Sequence, residues 1–156
     1  MINRKLLLAG MAVAIMTLSG CANTKAKSKA TLSVRIQADQ NINPNWQGKA
    51  SSVDIRIYQL TSPSLFNEAD FFNLYPTADK TLGDSYIKMT EVLIAPGKTI
   101  KLQVPLSPDT EWFGVLAAFS DINATRWSAT APLRYRWWGR TSLSILVHQS
   151  KLDIKE

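Results

Sequence analysis

The sequence predicts a mainly β domain over residues 31–156, folded as a two-sheet β-sandwich. Three observations carry that expectation. Apolar and polar residues alternate strictly along several short stretches, the period of a strand with one covered face. Pro, Gly, Asn and Asp punctuate those stretches at short intervals, as turns require. Hydrophobic residues make up 46% of a 156-residue chain, enough to bury one core and too many for general disorder.

The first strand is residues 31–38, where Leu32, Val34, Ile36 and Ala38 alternate with Thr31, Ser33, Arg35 and Gln37. A polar, Asn-rich loop follows over residues 39–50, with Pro44 and Gly48 inside it. Val53, Ile55 and Ile57 then alternate with Asp54, Arg56 and Tyr58, which gives a second strand. Residues 63–81 break the β pattern. Leu65, Phe66, Ala69 and Phe72 recur at spacings of three and four, and this predicts one or two short amphipathic helices. Ser64 or Asn67 is the expected cap, Pro76 the expected stop, and one end or edge of the sandwich the expected resting place.

A third strand is predicted over residues 86–94 and a fourth over 100–106, joined by Ala95-Pro96-Gly97-Lys98. Pro and Gly suit a tight turn there, so the pair is expected to form a hairpin. Residues 112–119 are apolar on both faces, the signature of a central strand covered on both sides. Gly114, Ala117 and Ala118 leave room there for something to pack closely. A short strand at 126–129 and two further strands, marked by Leu143, Ile145 and Val147 and by Leu152 and Ile154, complete the pattern.

The residues before this domain have a different character. Arg4 and Lys5 precede an apolar run, Leu6 to Leu18, which ends at Ser19 and Gly20. Residues 1–20 thus have the layout of a secretory signal peptide. The run is shorter than the roughly 20 residues a spanning helix needs. Leu18-Ser19-Gly20-Cys21 resembles the bacterial lipobox, in which small residues admit the signal peptidase and the thiol receives a diacylglycerol. Cys21 is therefore the expected lipidation site, and the covalent lipid is the one non-protein group expected. Lipoproteins resembling this pattern carry two or three acyl chains, and each buried CH₂ contributes about 0.8 kcal/mol to membrane binding. Ala22 stands where many Gram-negative lipoproteins retained in the inner membrane have Asp, so lipid anchoring in the outer membrane, facing the periplasm, is expected. Residues 21–30 then read as the lipidated Cys and a flexible tether, with Lys25, Lys27 and Lys29 among small residues.

Composition narrows the function. One Cys and one His supply neither an intramolecular disulfide nor a Cys/His zinc cluster, so no metal or cofactor is expected. Removing Arg4 and Lys5 with the signal takes the formal charge from +6 to +4. Three of the remaining cations lie in the tether, and the basicity carries no argument for nucleic acid. No Gly-rich phosphate loop or G-x-S-x-G elbow occurs. His148 reads as a surface or strand-edge residue.

Two surface stretches stand out. In the loop 39–50, Ile42 and Trp46 are apolar on an otherwise polar segment; such residues mark a contact surface or fold back onto the core. In residues 133–140, Arg134, Tyr135, Arg136, Trp137 and Trp138 alternate cations with aromatics, the types enriched at binding hot spots. Stacking on sugars, seating at a lipid interface or finishing the core are the other uses of that stretch.

Beyond these local readings, the chain resembles the type VI secretion system outer-membrane lipoproteins of the TssJ (SciN-like) family. The resemblance runs through Ile42-Asn43-Pro44, Gly48-Lys49-Ala50-Ser51, Val53 to Leu60, Phe66, Ala69-Asp70-Phe71-Phe72-Asn73-Leu74-Tyr75, Ala95-Pro96-Gly97, Gly114 to Ile122 and Arg126-Trp127. Ser52 stands where that family often has Pro, and the stretch 134–140 matches no motif of it. The resemblance implies a transthyretin-like sandwich with added helices and a non-enzymatic role. That role is to anchor the trans-envelope membrane complex by binding the periplasmic C-terminal region of the inner-membrane protein TssM. It points to the loop between the first two strands as the contact, which by position gives Ile42, Asn43, Asn45, Trp46 and Lys49. The alternative readings are a periplasmic carbohydrate- or small-ligand-binding lipoprotein, stacking through Tyr135, Trp137 and Trp138, and an envelope enzyme acting on peptidoglycan.

Overall fold

The computed structural model describes residues 30–134 and 141–155. The expected signal segment, Cys21, most of the expected tether, and Tyr135, Arg136, Trp137 and Trp138 lie outside the described residues. Among the described residues, eight strands form two four-stranded sheets. The strands are β1 (Thr31–Ala38), β2 (Val53–Leu60), β3 (Tyr86–Ile94), β4 (Thr99–Pro105), β5 (Trp112–Ala118), β6 (Ser128–Pro132), β7 (Thr141–Val147) and β8 (Leu152–Lys155). One sheet has the order β4-β1-β7-β8 and the other β3-β2-β5-β6. All pairings are antiparallel except β1 with β7.

The period-2 pattern does what it predicts. Leu32, Val34 and Ile36 of β1 and Leu143, Ile145 and Val147 of β7 face inward from one sheet. Val53, Ile55 and Ile57 of β2 and Phe113, Val115 and Ala117 of β5 meet them from the other. Each fully buried aliphatic or aromatic side chain here contributes about 1.5–3 kcal/mol relative to exposure. Gln59, the polar residue at the end of the inward row on β2, is 1% exposed and fully bonded. Its Nε2 donates to the Pro105 carbonyl at 2.9 Å, and its Oε1 accepts from Ser107 N–H at 2.9 Å and Thr110 Oγ1 at 2.8 Å.

Two expectations are corrected. The segments on either side of Ala95-Pro96-Gly97-Lys98 do not pair as a hairpin: β3 bonds β2, and β4 bonds β1 in the opposite sheet. The turn is tied to the end of β1, with Gly97 N–H donating to the Asp39 carbonyl (2.8 Å) and Ala38 N–H to the Lys98 carbonyl (3.0 Å). That anchorage carries the chain across the sandwich. Val92 and Ile94 therefore meet Ile100, Leu102 and Val104 within the core rather than side by side in one sheet. The short strand expected at 126–129 is β6 at Ser128–Pro132, and Arg126 instead forms an isolated parallel bridge with Lys151.

Three short helices stand where one or two were expected: α1 (Ser64–Glu68), α2 (Phe71–Leu74) and α3 (Ala78–Leu82). The cap is neither Ser64 nor Asn67. Asp70 caps α2, its carboxylate accepting from Asn73 N–H at 2.9 Å. Ala69, in extended geometry, separates α1 from α2, and Pro76 separates α2 from α3. The helices cover the outer face of the β3-β2-β5-β6 sheet, not an end of the sandwich. A second core forms there from Tyr58, Leu60 and Leu116 of the sheet and Phe66, Leu74 and Leu82 of the helices. This is why residues 112–118 are apolar on both faces. An Arg56 network pins the cover in place. The guanidinium lies 3.7 Å from the centroid of the Tyr75 ring and donates to the Tyr75 carbonyl. Arg56 Nε is 3.0 Å from Glu91, and the Tyr75 hydroxyl donates to Asp54 at 3.0 Å.

Candidate partner-binding loop

Residues 39–52 connect β1 to β2 at one end of the sandwich. The chain enters β1 at the other end, where Leu106 N–H donates to the Ala30 carbonyl at 2.9 Å and Thr31 pairs with Pro105. The loop therefore lies at the end of the domain opposite to Ala30.

The loop is built from the inside out. Ile42 is fully buried in the main core and fixes the base. Asn43 is 5% exposed and holds a left-handed backbone, φ 47°, which Asn tolerates better than most residues. Its Nδ2 donates to Ser51 Oγ and to the Ser52 carbonyl, both at 2.9 Å, and its Oδ1 accepts from Ser120 N–H at 2.6 Å. One buried amide thus ties both limbs of the loop to the segment after β5. The tip is closed by Asn45, whose Oδ1 accepts from Gln47 N–H (3.0 Å) and Lys49 N–H (2.9 Å), while Gly48 at φ 75° completes the turn. His148 Nδ1 lies 2.8 Å from the Asp39 carboxylate at the root of the loop.

On this framework Trp46 stands 90% exposed. It does not fold back onto the sandwich. With Pro44, Asn45, Ser120 and Asp121 it borders an open cleft of about 460 Å³. The five residues expected to bind a partner therefore separate into two groups. Ile42 and Asn43 are buried, and their side chains shape the loop rather than present a surface. Trp46 and Lys49 are exposed and Asn45 is half-buried at the tip. Ser120 and Asp121, which sequence reasoning missed as surface partners of the loop, sit across the cleft. Their position depends on the Asn43–Ser120 bond, between residues far apart in sequence, so no local signal marked them. Arg134 is exposed at the opposite end, beyond β6.

The fold is a two-sheet sandwich that presents a hydrogen-bonded loop with an exposed Trp at its tip. Residues 30–150 match the family described as "Type VI secretion lipoprotein, VasD, EvfM, TssJ". The chain belongs to that family of type VI secretion lipoproteins. Among solved structures it is similar to the T6SS lipoprotein TssJ1 from Pseudomonas aeruginosa, at 26% identity, covering 81% of this chain and 95% of that one with a TM-score of 0.74. It is similar to a chain of a type VI membrane complex at 28% identity, covering 81% and 98%, TM-score 0.71. It is also similar to a chain in a structure of the T6SS protein TssM C-terminal domain from EAEC, at 26% identity, covering 81% and 98%, TM-score 0.66. A search of curated protein sequences gives no match.

Proposed function

We propose that this lipoprotein anchors the trans-envelope complex of a type VI secretion system to the outer membrane from the periplasmic side, without enzymatic activity. Acyl chains on Cys21 hold the protein in the membrane, and the loop 39–52 binds the periplasmic C-terminal region of TssM. The observation that carries the reading is Trp46, an almost fully exposed aromatic on a loop whose base is locked by a buried Asn. Trp is the residue type most enriched at hot spots, and a pre-ordered loop loses little conformational entropy on binding. The similar chains from a type VI membrane complex and from a TssM C-terminal domain structure support the same partner.

The placement of loop and tether gives the mechanism. With the anchor reached through Ala30, the loop at the far end of the domain is left accessible to a periplasmic partner. Each copy then links the bilayer to a periplasmic partner. Several copies in one assembly reinforce one another through effective concentration, so a modest single contact is enough.

The test is binding of the full-length protein to a periplasmic C-terminal fragment of TssM. Wild type should bind, and Trp46→Ala should weaken binding roughly thirtyfold or more, the loss expected of a hot-spot Trp. No binding by wild type would refute the partner. Equal binding by Trp46→Ala would move the contact off this loop. Cys21→Ser should leave the outer-membrane fraction on cell fractionation; retention there would refute the lipid anchor.

A further inference from the structure

The three helices roof one sheet, and among the described residues nothing covers the outer face of the other, β4-β1-β7-β8. Its registers set one row of side chains straight across that face. Lys101 of β4 stands opposite Arg35 of β1, Arg35 opposite Ser144 of β7, and Ser144 opposite Lys155 of β8. Paired residues point to the same side, so the row is Lys101-Arg35-Ser144-Lys155 and spans about 14 Å at the ordinary strand spacing. All three cations are exposed. Among the described residues, no acidic group lies within ion-pair distance of any of them. Like charges directly opposite on neighbouring strands destabilise a sheet, so the Arg35–Lys101 pair is a local cost that the fold leaves uncompensated.

The rest of the domain singles this row out. The one acid at an outward position of these four strands, Asp153, is taken by Lys151 at 2.6 Å, with Arg126 and His148 each at 3.7 Å. The neighbouring rows are mostly hydroxyls and amides, and Gln103 Nε2 donates to Ser33 Oγ at 2.9 Å. Such a face suits charged, hydrated groups rather than an apolar partner. The opposite face of the sandwich has the opposite charge. The helical cover, residues 64–85, carries exposed Glu68, Asp70, Asp79 and Asp84 against Lys80 alone. The chain before the described residues joins the basic sheet: β1, the strand that carries Arg35, starts at Thr31, directly after residues 22–30. Those nine residues reach at most about 30 Å and add Lys25, Lys27 and Lys29.

We infer that the outer face of this sheet docks on the anionic phospholipid headgroups of the leaflet that holds the acyl chains. The inference rests on the lipid anchor proposed at Cys21. Phosphates of neighbouring lipids meet Lys101, Arg35 and Lys155, and the Ser144 hydroxyl donates within the same row. Attraction between exposed charges acts over only about 8 Å at physiological salt, and the anchor supplies that proximity by making the contact intramolecular. Each cation near an anionic surface shifts the equilibrium toward contact about fivefold, so the three together give about a hundredfold. The acidic cover then turns to the periplasm, and the loop 39–52 stays open at the rim of the docked face.

The test uses the protein purified from cell membranes and bound from outside to vesicles of phosphatidylcholine, alone or with about a third phosphatidylglycerol. Lysines are acetylated briefly and read by peptide mass spectrometry. On the anionic vesicles, acetylation of Lys101 and Lys155 should slow at least tenfold relative to the neutral ones, and salt at about 1 M should remove the difference. Lys80, on the acidic cover, should change little. Arg35→Glu sets an acid opposite Lys101 and relieves the like-charge pair, so its urea midpoint should not fall. It removes one cation and adds one anion, so the slowing at Lys155 should shrink to about fivefold or less. Full slowing in Arg35→Glu would overturn the inference. Flotation with both kinds of vesicle but equal acetylation would overturn the docked face and leave the anchor standing, whereas flotation with neither would overturn both. Slowing strongest at Lys80 would put the other face on the bilayer, and slowing that appears only with a periplasmic fragment of TssM would assign the row to a protein; either result overturns the inference.

Discussion

Gly114→Ala is the sharpest test of how the helical cover is seated. A methyl group built on Gly114 would lie 2.6, 2.7 and 2.9 Å from three carbons of the Phe66 ring. Carbon pairs rest at about 3.5–4.0 Å, so the ring would have to retreat by roughly 1 Å. It has nowhere to go. Phe66 is 1% exposed, and the Tyr58 ring packs against it with centroids 5.5 Å apart. Overpacking of a closed site costs about 1–3 kcal/mol. At about 2–4 °C per kcal/mol for a domain of this size, a cost near 2 kcal/mol lowers Tm by about 4–8 °C. Urea unfolding is the direct assay: the midpoint should fall with the m-value unchanged. A double-mutant cycle supplies the specificity. Phe66→Leu makes room at the same point, so the double variant should be less destabilised than the two single losses added together. A midpoint for Gly114→Ala within about 0.5 kcal/mol of wild type, the range of ordinary surface substitutions, would refute the close packing of helix on sheet.

The other predictions concern the loop and the charged groups. Asn43→Ala should destabilise the domain by about 2–3 kcal/mol in urea unfolding, because the Ser120 N–H and the Ser52 carbonyl lose a buried partner. Trp46→Ala, by contrast, should leave the unfolding midpoint within about 0.5 kcal/mol of wild type, since the side chain packs on little. Asp153 is held below the ordinary carboxylate value of 3.8, chiefly by the hydrogen bond from Lys151, with burial opposing. Its contribution is therefore complete above 3.8 and lost as pH falls through its lower folded value, so Asp153→Asn should flatten that acid limb in unfolding midpoints measured across it. Asp54 has the opposite sign. Burial raises it, against the Tyr75 hydrogen bond, so its contribution is present below 3.8 and lost as pH rises through the raised value. Asp54→Asn should accordingly remove a loss of stability above 3.8, seen as a smaller fall in the unfolding midpoint as pH rises through that region.

The strands were legible because their information is local. Alternation in Leu32-Ser33-Val34-Arg35-Ile36 needs no knowledge of the partner, since one buried face imposes it wherever the strand lies. The doubly apolar run at 112–118 correctly announced a covered outer face, and Gly114 a close approach, without naming Phe66 as the group that approaches. Partner choice was not local. The turn at 95–98 looks the same whether it closes a hairpin or arches between sheets, and the bonds from Ala38 and to Asp39 that select the arch lie some sixty residues away in sequence. The same limit divided the candidate site. Ile42 and Trp46 are both apolar residues on a polar loop, and nothing in composition says that one enters the core while the other points into water.

By itself, then, the sequence determined the secretory and lipobox pattern, the family resemblance, the sandwich class and the residues of nearly every strand, because each rests on short-range pattern. Tertiary structure alone decided which strands pair, that the helices roof a sheet face, that Asn43 is a buried tie, and that Trp46 is left exposed. Those outcomes depend on which distant groups satisfy a buried donor or fill a gap. That matching is fixed only when the whole chain packs.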